Sequence, residues 1–421
     1  MRLVIAYSGG LDSTTLLASL AGLAGRDPLP ELLAVHVDHG LHPDSASWAA
    51  QCARQAGDLG VDIDTYTVSV EQHAGLSREA AAREARYELF HEVIGPGDVL
   101  LTAHHLDDQA ETFLLMALRG SGPAGLAAMP ARAGFGQGHL CRPLLDFDRA
   151  ALEAWAREQG LEWLEDPSNA DQSLDRNFLR HRVLPLLAEQ WPQAARTLAR
   201  AARHSGAAAE LLHEAAAHDL ERNPLHGECL PAELLLPLGP ERQRNLVREW
   251  LRVNGLRMPS SEQLERIFRE IVLAAPDARP RLALDGRELR RFRGVLYLVD
   301  ELPVPEPVCW QQDTLVPAPG LGRLRRLDSD RGLPPGPVEV RYRQGGERLT
   351  PEGRSGHHEL KKLLQEAGVL PWWRDRIPLL YRDDELLAVG DIWLSEEHLE
   401  AGGWRPAWDE RPRLLADEYR L

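Results

Sequence analysis

Four apolar, partly β-branched segments recur through the first hundred residues, and a helix-like stretch follows each of them. Residues 2–7 (RLVIAY), 31–38 (ELLAVHVD), 61–68 (VDIDTYTV) and 98–103 (DVLLTA) have the length and composition of strands. Residues 12–24, 44–59, a segment opening at Ser77 and residues 107–119 read as helices. Ser77 offers a hydroxyl for an N-cap, with Glu79 and Ala-rich turns behind it. Strands that alternate with helices in this way predict an α/β fold with a doubly wound parallel sheet. Ligands of such sheets sit outside the carboxyl ends of the strands. The turns after the first, second and fourth strands are therefore where chemistry is expected.

The chain has 421 residues, enough for two to four domains at roughly 100–200 residues each. Residues 148–160 read as a further helix, with Asp148 as cap and Gly160 as stop. Residues 165–171 form a turn-rich loop, and a long helical stretch runs over 176–222 with a break near Trp191-Pro192. Pro-containing residues 224–240 read as a linker. Two helices and short strands occupy 241–300, a Pro-rich connector spans 303–319, and short strands with one helix near 357–367 follow. The expected organisation is a catalytic domain over 1–210 that includes a helical extension, then two smaller α+β domains over 211–305 and 320–415.

Cys52, Cys141, Cys229 and Cys309 form no CxxC unit. This argues against a zinc ribbon, a dithiol enzyme or a disulfide framework, and for a reducing compartment. No run approaches the ~20 apolar residues of a spanning helix, so a cytoplasmic protein without membrane contact is expected. The two lysines, Lys361 and Lys362, both come late, and a phosphate-binding loop of the GxxxxGK type is thereby excluded.

A different phosphate cradle stands at the first strand–helix junction: Ser8-Gly9-Gly10-Leu11-Asp12-Ser13. Glycines let backbone amides approach a ligand closely. The helix start contributes free N–H donors and partial positive charge, and Ser8 and Ser13 add hydroxyls. Hydrogen bonds to a charged phosphate are worth roughly 1.5–3 kcal/mol each, so several hold a nucleotide tail without any lysine.

This stretch resembles the PP-loop of the N-type ATP pyrophosphatases, which cleave ATP to AMP and pyrophosphate. Further motifs narrow the likeness. His36-Val37-Asp38-His39-Gly40-Leu41 ends the second strand. His104-His105-Leu106-Asp107-Asp108-Gln109-Ala110-Glu111-Thr112 follows the fourth, and Arg119-Gly120-Ser121-Gly122 its helix. Asp166-Pro167-Ser168-Asn169 and Arg176-Asn177-Phe178-Leu179-Arg180 come later. In this order the set resembles the tRNA(Ile)-lysidine synthetase family. Gly345-Gly346-Glu347-Arg348 and Lys361-Lys362-Leu363-Leu364 are similar to that family's C-terminal domain. A tRNA thiolase would need catalytic cysteines, and the four here lie outside these motifs.

The resemblance implies a reaction: ATP adenylates the C2 oxygen of the wobble cytidine in a CAU anticodon, and free L-lysine then displaces AMP. The tRNA changes from methionine to isoleucine identity. It implies ATP contacts at Ser8, Gly9, Gly10, Leu11, Asp12, Ser13, His36 and His104, and lysine recognition at Asp108 and Glu111. Asp12, Asp38, Asp108 and Glu111 would be catalytic. Asp108 and Glu111 are three apart on a helix and share a face, which suits a cationic substrate; a solvated acidic helix start is the alternative. Asp12, Asp38 and Asp107 are candidates to hold Mg²⁺ on the ATP phosphates, Asp12 and Asp107 foremost. A homodimer is compatible with the family, and the sequence itself fixes no oligomeric state.

A formal net charge of −16 speaks against a nucleic-acid partner, but local patches decide such contacts. Residues 176–203 carry six arginines against one acid, and 341–376 carry eight basic residues against five acidic ones. Arg176, Arg180, Arg182, Arg348, Lys361 and Lys362 are the expected tRNA contacts. Trp372 and Trp373 are placed to stack bases if they are exposed, or to pack a core if not.

Overall fold

The computed structural model describes residues 1–40, 42–69, 78–165, 175–225, 227–275, 278–300, 305–311 and 313–419. Ser77, Leu41 and Asp166-Pro167-Ser168-Asn169 lie outside the described residues. The chain divides into two compact units, Met1–Leu211 and Leu212–Leu421.

The first unit alternates as expected: β1 (Arg2–Ala6), α1 (Leu11–Ala24), β2 (Glu31–Asp38), α2 (Ser45–Asp58), β3 (Asp62–Thr67), α3 (Arg78–Val93), β4 (Val99–Leu101) and α4 (Leu106–Leu118). A short α5 (Pro123–Leu126), a hairpin of β5 (Arg132–Phe135) and β6 (Gly138–Cys141), and α6 (Arg149–Glu158) follow. The sheet order is β3-β2-β1-β4-β6-β5. All pairs are parallel except β5 on β6, an antiparallel edge that the alternation did not foretell.

Successive residues of one strand enter opposite cores, as a period of two requires. Ile5 and Leu101 pack with Leu16, Leu17 and Cys52 on one face; Val4 and Leu100 pack with Phe90 and Val35 on the other. The chain winds from β1 outward to β2 and β3, then returns to β4 on the other side. The switch point between β1 and β4 is where such sheets open a crevice.

Asp148 caps α6 by accepting the Ala151 amide at 2.9 Å. The long helical stretch is four pieces: α7 (Asp175–Phe178), a π-helical turn (Leu179–Val183), α8 (Leu184–Gln190) and α9 (Ala194–Leu220), with the break at Trp191.

The second unit begins with β7 (Cys229–Pro231), α10 (Ala232–Leu235), α11 (Pro240–Val253), α12 (Ser261–Arg266) continuing as a π-helical turn (Ile267–Val272), β8 (Arg281–Leu284), β9 (Arg287–Phe292) and β10 (Val295–Asp300). The sheet order β7-β10-β9-β8 backs onto a core with Trp250, Leu246 and Leu289. Residues 224–240 are therefore no linker: Leu230 and Leu235 are fully buried. Proline rules out a helix interior but not a strand end, where Pro231 sits.

The remainder holds β11 (Val308–Trp310), β12 (Thr314–Leu315), β13 (Arg323–Gly332), β14 (Val338–Arg341), β15 (Arg348–Leu349), β16 (His358–Glu359), α13 (Leu360–Glu366), β17 (Leu379–Arg382), β18 (Glu385–Val389), β19 (Trp393–Leu394) and β20 (Glu400–Asp409). The Pro-rich connector expected over 303–319 supplies β11 and β12 to its sheets, and Trp310 is fully buried. Trp372 and Trp373 pack beside Trp404 and Trp408 in the same core, so they are no stacking platform for bases. Cys229, Tyr297 and Val299 belong to that core as well.

Candidate functional site

The turn after β1 is held from behind. The Tyr7 amide donates to the Val35 carbonyl at 2.9 Å, and buried His36 places Nδ1 3.0 Å from the Tyr7 carbonyl. Ser13 Oγ accepts from the Ser8 amide at 3.2 Å, meets Ser8 Oγ at 3.0 Å and donates to the Gly10 carbonyl at 3.1 Å. Thr14 Oγ1 donates to the Gly9 carbonyl at 3.2 Å, and the Leu164 amide donates to the same oxygen at 2.8 Å. Gly9 has φ +80°, and a Cβ there would lie 2.6 Å from both Cys52 Sγ and Leu164 Cδ1. Gly10 is the N-cap of α1 and offers no side-chain cap, so the first amides of the helix face outward with the macrodipole behind them. The serine hydroxyls thus hydrogen-bond within the loop, and the first amides of α1 carry no side-chain cap.

His105 joins this loop to the start of α4. It is the N-cap in a reciprocal box: its Nδ1 accepts the Asp107 amide at 3.2 Å, and Asp108 Oδ2 accepts the His105 amide at 3.0 Å. A neutral ring accepting at Nδ1 carries its proton on Nε2. That nitrogen lies 3.7 Å from Asp12 Oδ2 and 3.5 Å from Asp108 Oδ2. Burial works against charge on His105, but the surrounding Asp107, Asp108 and Asp12 outweigh it and raise its pKa. Burial also pushes the Asp12 carboxyl up despite the pull of His105. Among the described residues, Asp12 Oδ1 is buried without a hydrogen-bond partner. Asp107 is committed elsewhere, accepting the Arg149 amide at 2.8 Å.

Of the other expected residues, Asp38 accepts the Gly40 amide at 2.8 Å and shapes the turn after β2. His104 pairs Nδ1 with Thr102 Oγ1 at 2.9 Å, and burial pulls its pKa down to about 4, so it is neutral at physiological pH.

Asp108 and Glu111 share a face of α4, and both are buried, Glu111 completely. A solvated acidic helix start is excluded. Two guanidiniums close on them. Arg176 donates Nε to Glu111 Oε2 at 2.7 Å and Nη2 to Asp108 Oδ1 at 2.8 Å. Arg180 donates Nε to Glu111 Oε1 at 2.6 Å, and Nη2 to Asp108 Oδ1 and Glu111 Oε2, each at 3.0 Å. Arg176 and Arg180, expected on an RNA-facing helix, are thus turned onto carboxylates. Burial opposes the Asp108 charge, but His105 and Arg176 hold its carboxyl below the ordinary range.

Asp107 is likewise depressed: the neighbouring His105 ring and the hydrogen bond that it accepts from the Arg149 amide overcome burial. Both groups therefore contribute stability above the unfolded value of ~3.9, and lose it as pH falls through their lower folded values. Urea unfolding is expected to weaken below about pH 4, with Asp108→Asn flattening that acid limb. An acid limb unchanged in the variant would remove Asp108 from this account.

In the second unit Arg348 donates to the His357 carbonyl at 3.4 Å, and Lys362 lies 3.3 Å from Glu359. Sequence reading missed a cleft of about 210 Å³ lined by Arg279, Arg281, Arg290, Arg291, Trp372 and Arg376 among others. Arg279 precedes β8, Arg281 opens it, Arg290 and Arg291 lie on β9 and Arg376 follows α13, so the cleft gathers residues far apart in sequence. Among the described residues, no group of three or more His, Cys, Asp or Glu is arranged to hold a metal ion, and no helix is long and apolar enough to cross a membrane.

A glycine turn feeding an uncapped helix at the switch point of a parallel sheet defines a PP-loop nucleotide-using enzyme, and residues 1–187 match the model of the PP-loop domain. Residues 230–297 match the TilS substrate binding domain and 338–408 the TilS substrate C-terminal domain. The tRNA(Ile)-lysidine synthase of Alkalilimnicola ehrlichii is 43% identical over 96% of this chain and 93% of that one. Those of Methylococcus capsulatus and Pseudomonas aeruginosa are 43% and 45% identical, over 93% and 96% of this chain and 92% of each of theirs. The chain belongs to the tRNA(Ile)-lysidine synthase family, ATP-dependent enzymes that form lysidine on tRNA(Ile).

Proposed function

We propose that one cleft of this chain performs both halves of lysidine formation, in the cytoplasm. In the first, O2 of the wobble cytidine attacks the α-phosphorus of ATP; the Pα–O2 bond forms and pyrophosphate leaves. In the second, the neutral amine of free L-lysine attacks C2, the C2–O2 bond breaks, AMP departs, and the amine proton passes to a base. One observation carries this reading: His105 Nε2 stands within 3.7 Å of both Asp12 of the phosphate loop and Asp108 of the carboxylate pair. On this reading the nucleotide and the amino acid meet at one point.

Each residue has a role it can perform where it stands. The first amides of α1 receive phosphate oxygens and offset their charge. Asp12, whose Oδ1 is buried with no hydrogen-bond partner among the described residues, would help to hold a Mg²⁺ ion, which would supply positive charge beside the pyrophosphate. His36 fixes the Tyr7 carbonyl and hence the loop. Asp108 and Glu111 supply two buried negative charges for an ammonium group. Arg182, Arg348, Lys361, Lys362 and the arginine cleft supply sites for RNA phosphates.

The reaction is tested by incubating the chain with ATP, Mg²⁺, labelled lysine and CAU-anticodon isoleucine tRNA beside methionine tRNA. Mass spectrometry of the digested RNA should find a lysine-modified cytidine in the isoleucine tRNA alone. AMP release without lysine transfer would overturn the second half of the reading. For the RNA surface, Arg279→Glu with Arg281→Glu is expected to weaken tRNA binding and lower its salt slope by about two, with ATP binding unchanged. Equal tRNA affinity in both proteins would take the cleft out of the interface.

A further inference from the structure

The carboxylates assigned to lysine are already neutralised. Asp108 and Glu111 carry two negative charges, Arg176 and Arg180 carry two positive ones, and five hydrogen bonds close the set. Glu111 has no exposed surface. A lysine ammonium brought here meets two guanidiniums and no uncompensated acceptor. At least one arginine must leave before lysine can bind, and a guanidinium leaves a buried carboxylate readily only toward another anion.

Such an anion belongs next door. Arg180 donates to Asp108 at 3.0 Å, Asp108 stands 3.5 Å from His105 Nε2, and that nitrogen lies 3.7 Å from Asp12 of the phosphate loop. The α-phosphoryl group of a nucleotide seated on the loop presents the planar guanidinium fork with oxygens it matches as well as it matches carboxylate. We infer that Arg176 and Arg180 are positioning residues that make lysine binding conditional on the nucleotide: they hold Asp108 and Glu111 closed until the α-phosphoryl group draws them away. This rests on the assignment of lysine to Asp108 and Glu111. Its chemical consequence is order. Lysine is admitted once the activated phosphate is present, so the amine does not occupy the cleft before there is a leaving group to displace.

The coupling is reciprocal, since two ligands that share one equilibrium must help each other equally. The wild-type chain alone can test it. Equilibrium dialysis with labelled lysine is run with no addition, with adenosine, with AMP, and with α,β-methylene ATP plus Mg²⁺, in the absence of tRNA. Lysine Kd is expected to fall about tenfold or more with AMP and with α,β-methylene ATP, a size ordinary for coupled sites, and to stay unchanged with adenosine. Equal lysine Kd in all four conditions would overturn the inference, and so would an adenosine effect as large as that of AMP. Arg176→Gln is expected to bind lysine without nucleotide as tightly as the loaded wild type does. Glu111→Gln in nucleotide-loaded protein separates the two claims. Lysine binding that survives there overturns the lysine site itself; binding that is lost, with no coupling in the wild type, overturns the arginine control alone.

Discussion

Glu111→Ala is expected to lower kcat/KM for lysine by about 10²–10³-fold, the equivalent of roughly 3–4 kcal/mol. The same variant is expected to lose about 3–5 kcal/mol of unfolding free energy. Both effects have one origin. Glu111 is fully buried and accepts three of the five hydrogen bonds from Arg176 and Arg180. Truncation leaves two guanidiniums facing a hole with only Asp108 to answer them. Glu111→Gln keeps the volume and one carbonyl acceptor, so it should recover part of the stability and none of the lysine specificity. Urea denaturation and initial rates at varied lysine, measured well below the unfolding midpoint, separate the two. A Glu111→Ala protein with unchanged lysine kinetics would displace lysine recognition from α4.

Gly9→Ala should be as damaging through a different route, and Gly10→Ala is its control. At Gly9 the backbone φ of +80° costs an L-residue ~1–2 kcal/mol. The added methyl, 2.6 Å from Cys52 Sγ and Leu164 Cδ1, must also displace a packed wall for another 1–3 kcal/mol or so. The Gly9 carbonyl takes hydrogen bonds from Thr14 and Leu164, so the strain passes directly to the first amides of α1. ATP affinity is expected to drop at least about tenfold, since the loss of one good phosphate hydrogen bond suffices for that. At Gly10, φ is −73° and the nearest atom to a new Cβ is Ser8 Oγ at 3.6 Å, so alanine fits the fold. Equal ATP binding by the Gly9→Ala and wild-type proteins would show that the loop's shape does not govern nucleotide binding.

The parallel sheet was legible because its strands are short apolar runs separated by helical stretches, a pattern that few other folds satisfy. The phosphate loop was legible because only glycines and hydroxyls fill a strand–helix junction there. What escaped was set by contacts remote in sequence. Nothing near Asp108 or Glu111 announces that Arg176 and Arg180, some seventy residues on, will point at them rather than at RNA. His105 stood among four histidines at strand ends, and its place as a cap between Asp12 and Asp108 exists only once β1 and β4 are neighbours. Prolines made 224–240 and 303–319 look like connectors, because proline breaks helices far more than it breaks the short edge strands found there. Trp372 and Trp373 could be read either way from composition, and burial decided for the core.

The core shared by Cys229, Tyr297 and Val299 with Trp372 and its neighbours bears on how this architecture can be recombined. A chimera that exchanged only the residues after 320 for those of a relative would set a foreign surface against these three side chains. The mismatch would surface as poor expression or aggregation rather than as altered tRNA choice. Swaps that carry both sides of that core together keep the seam intact, which makes the second unit as a whole, and no one of its sheets, the part to exchange.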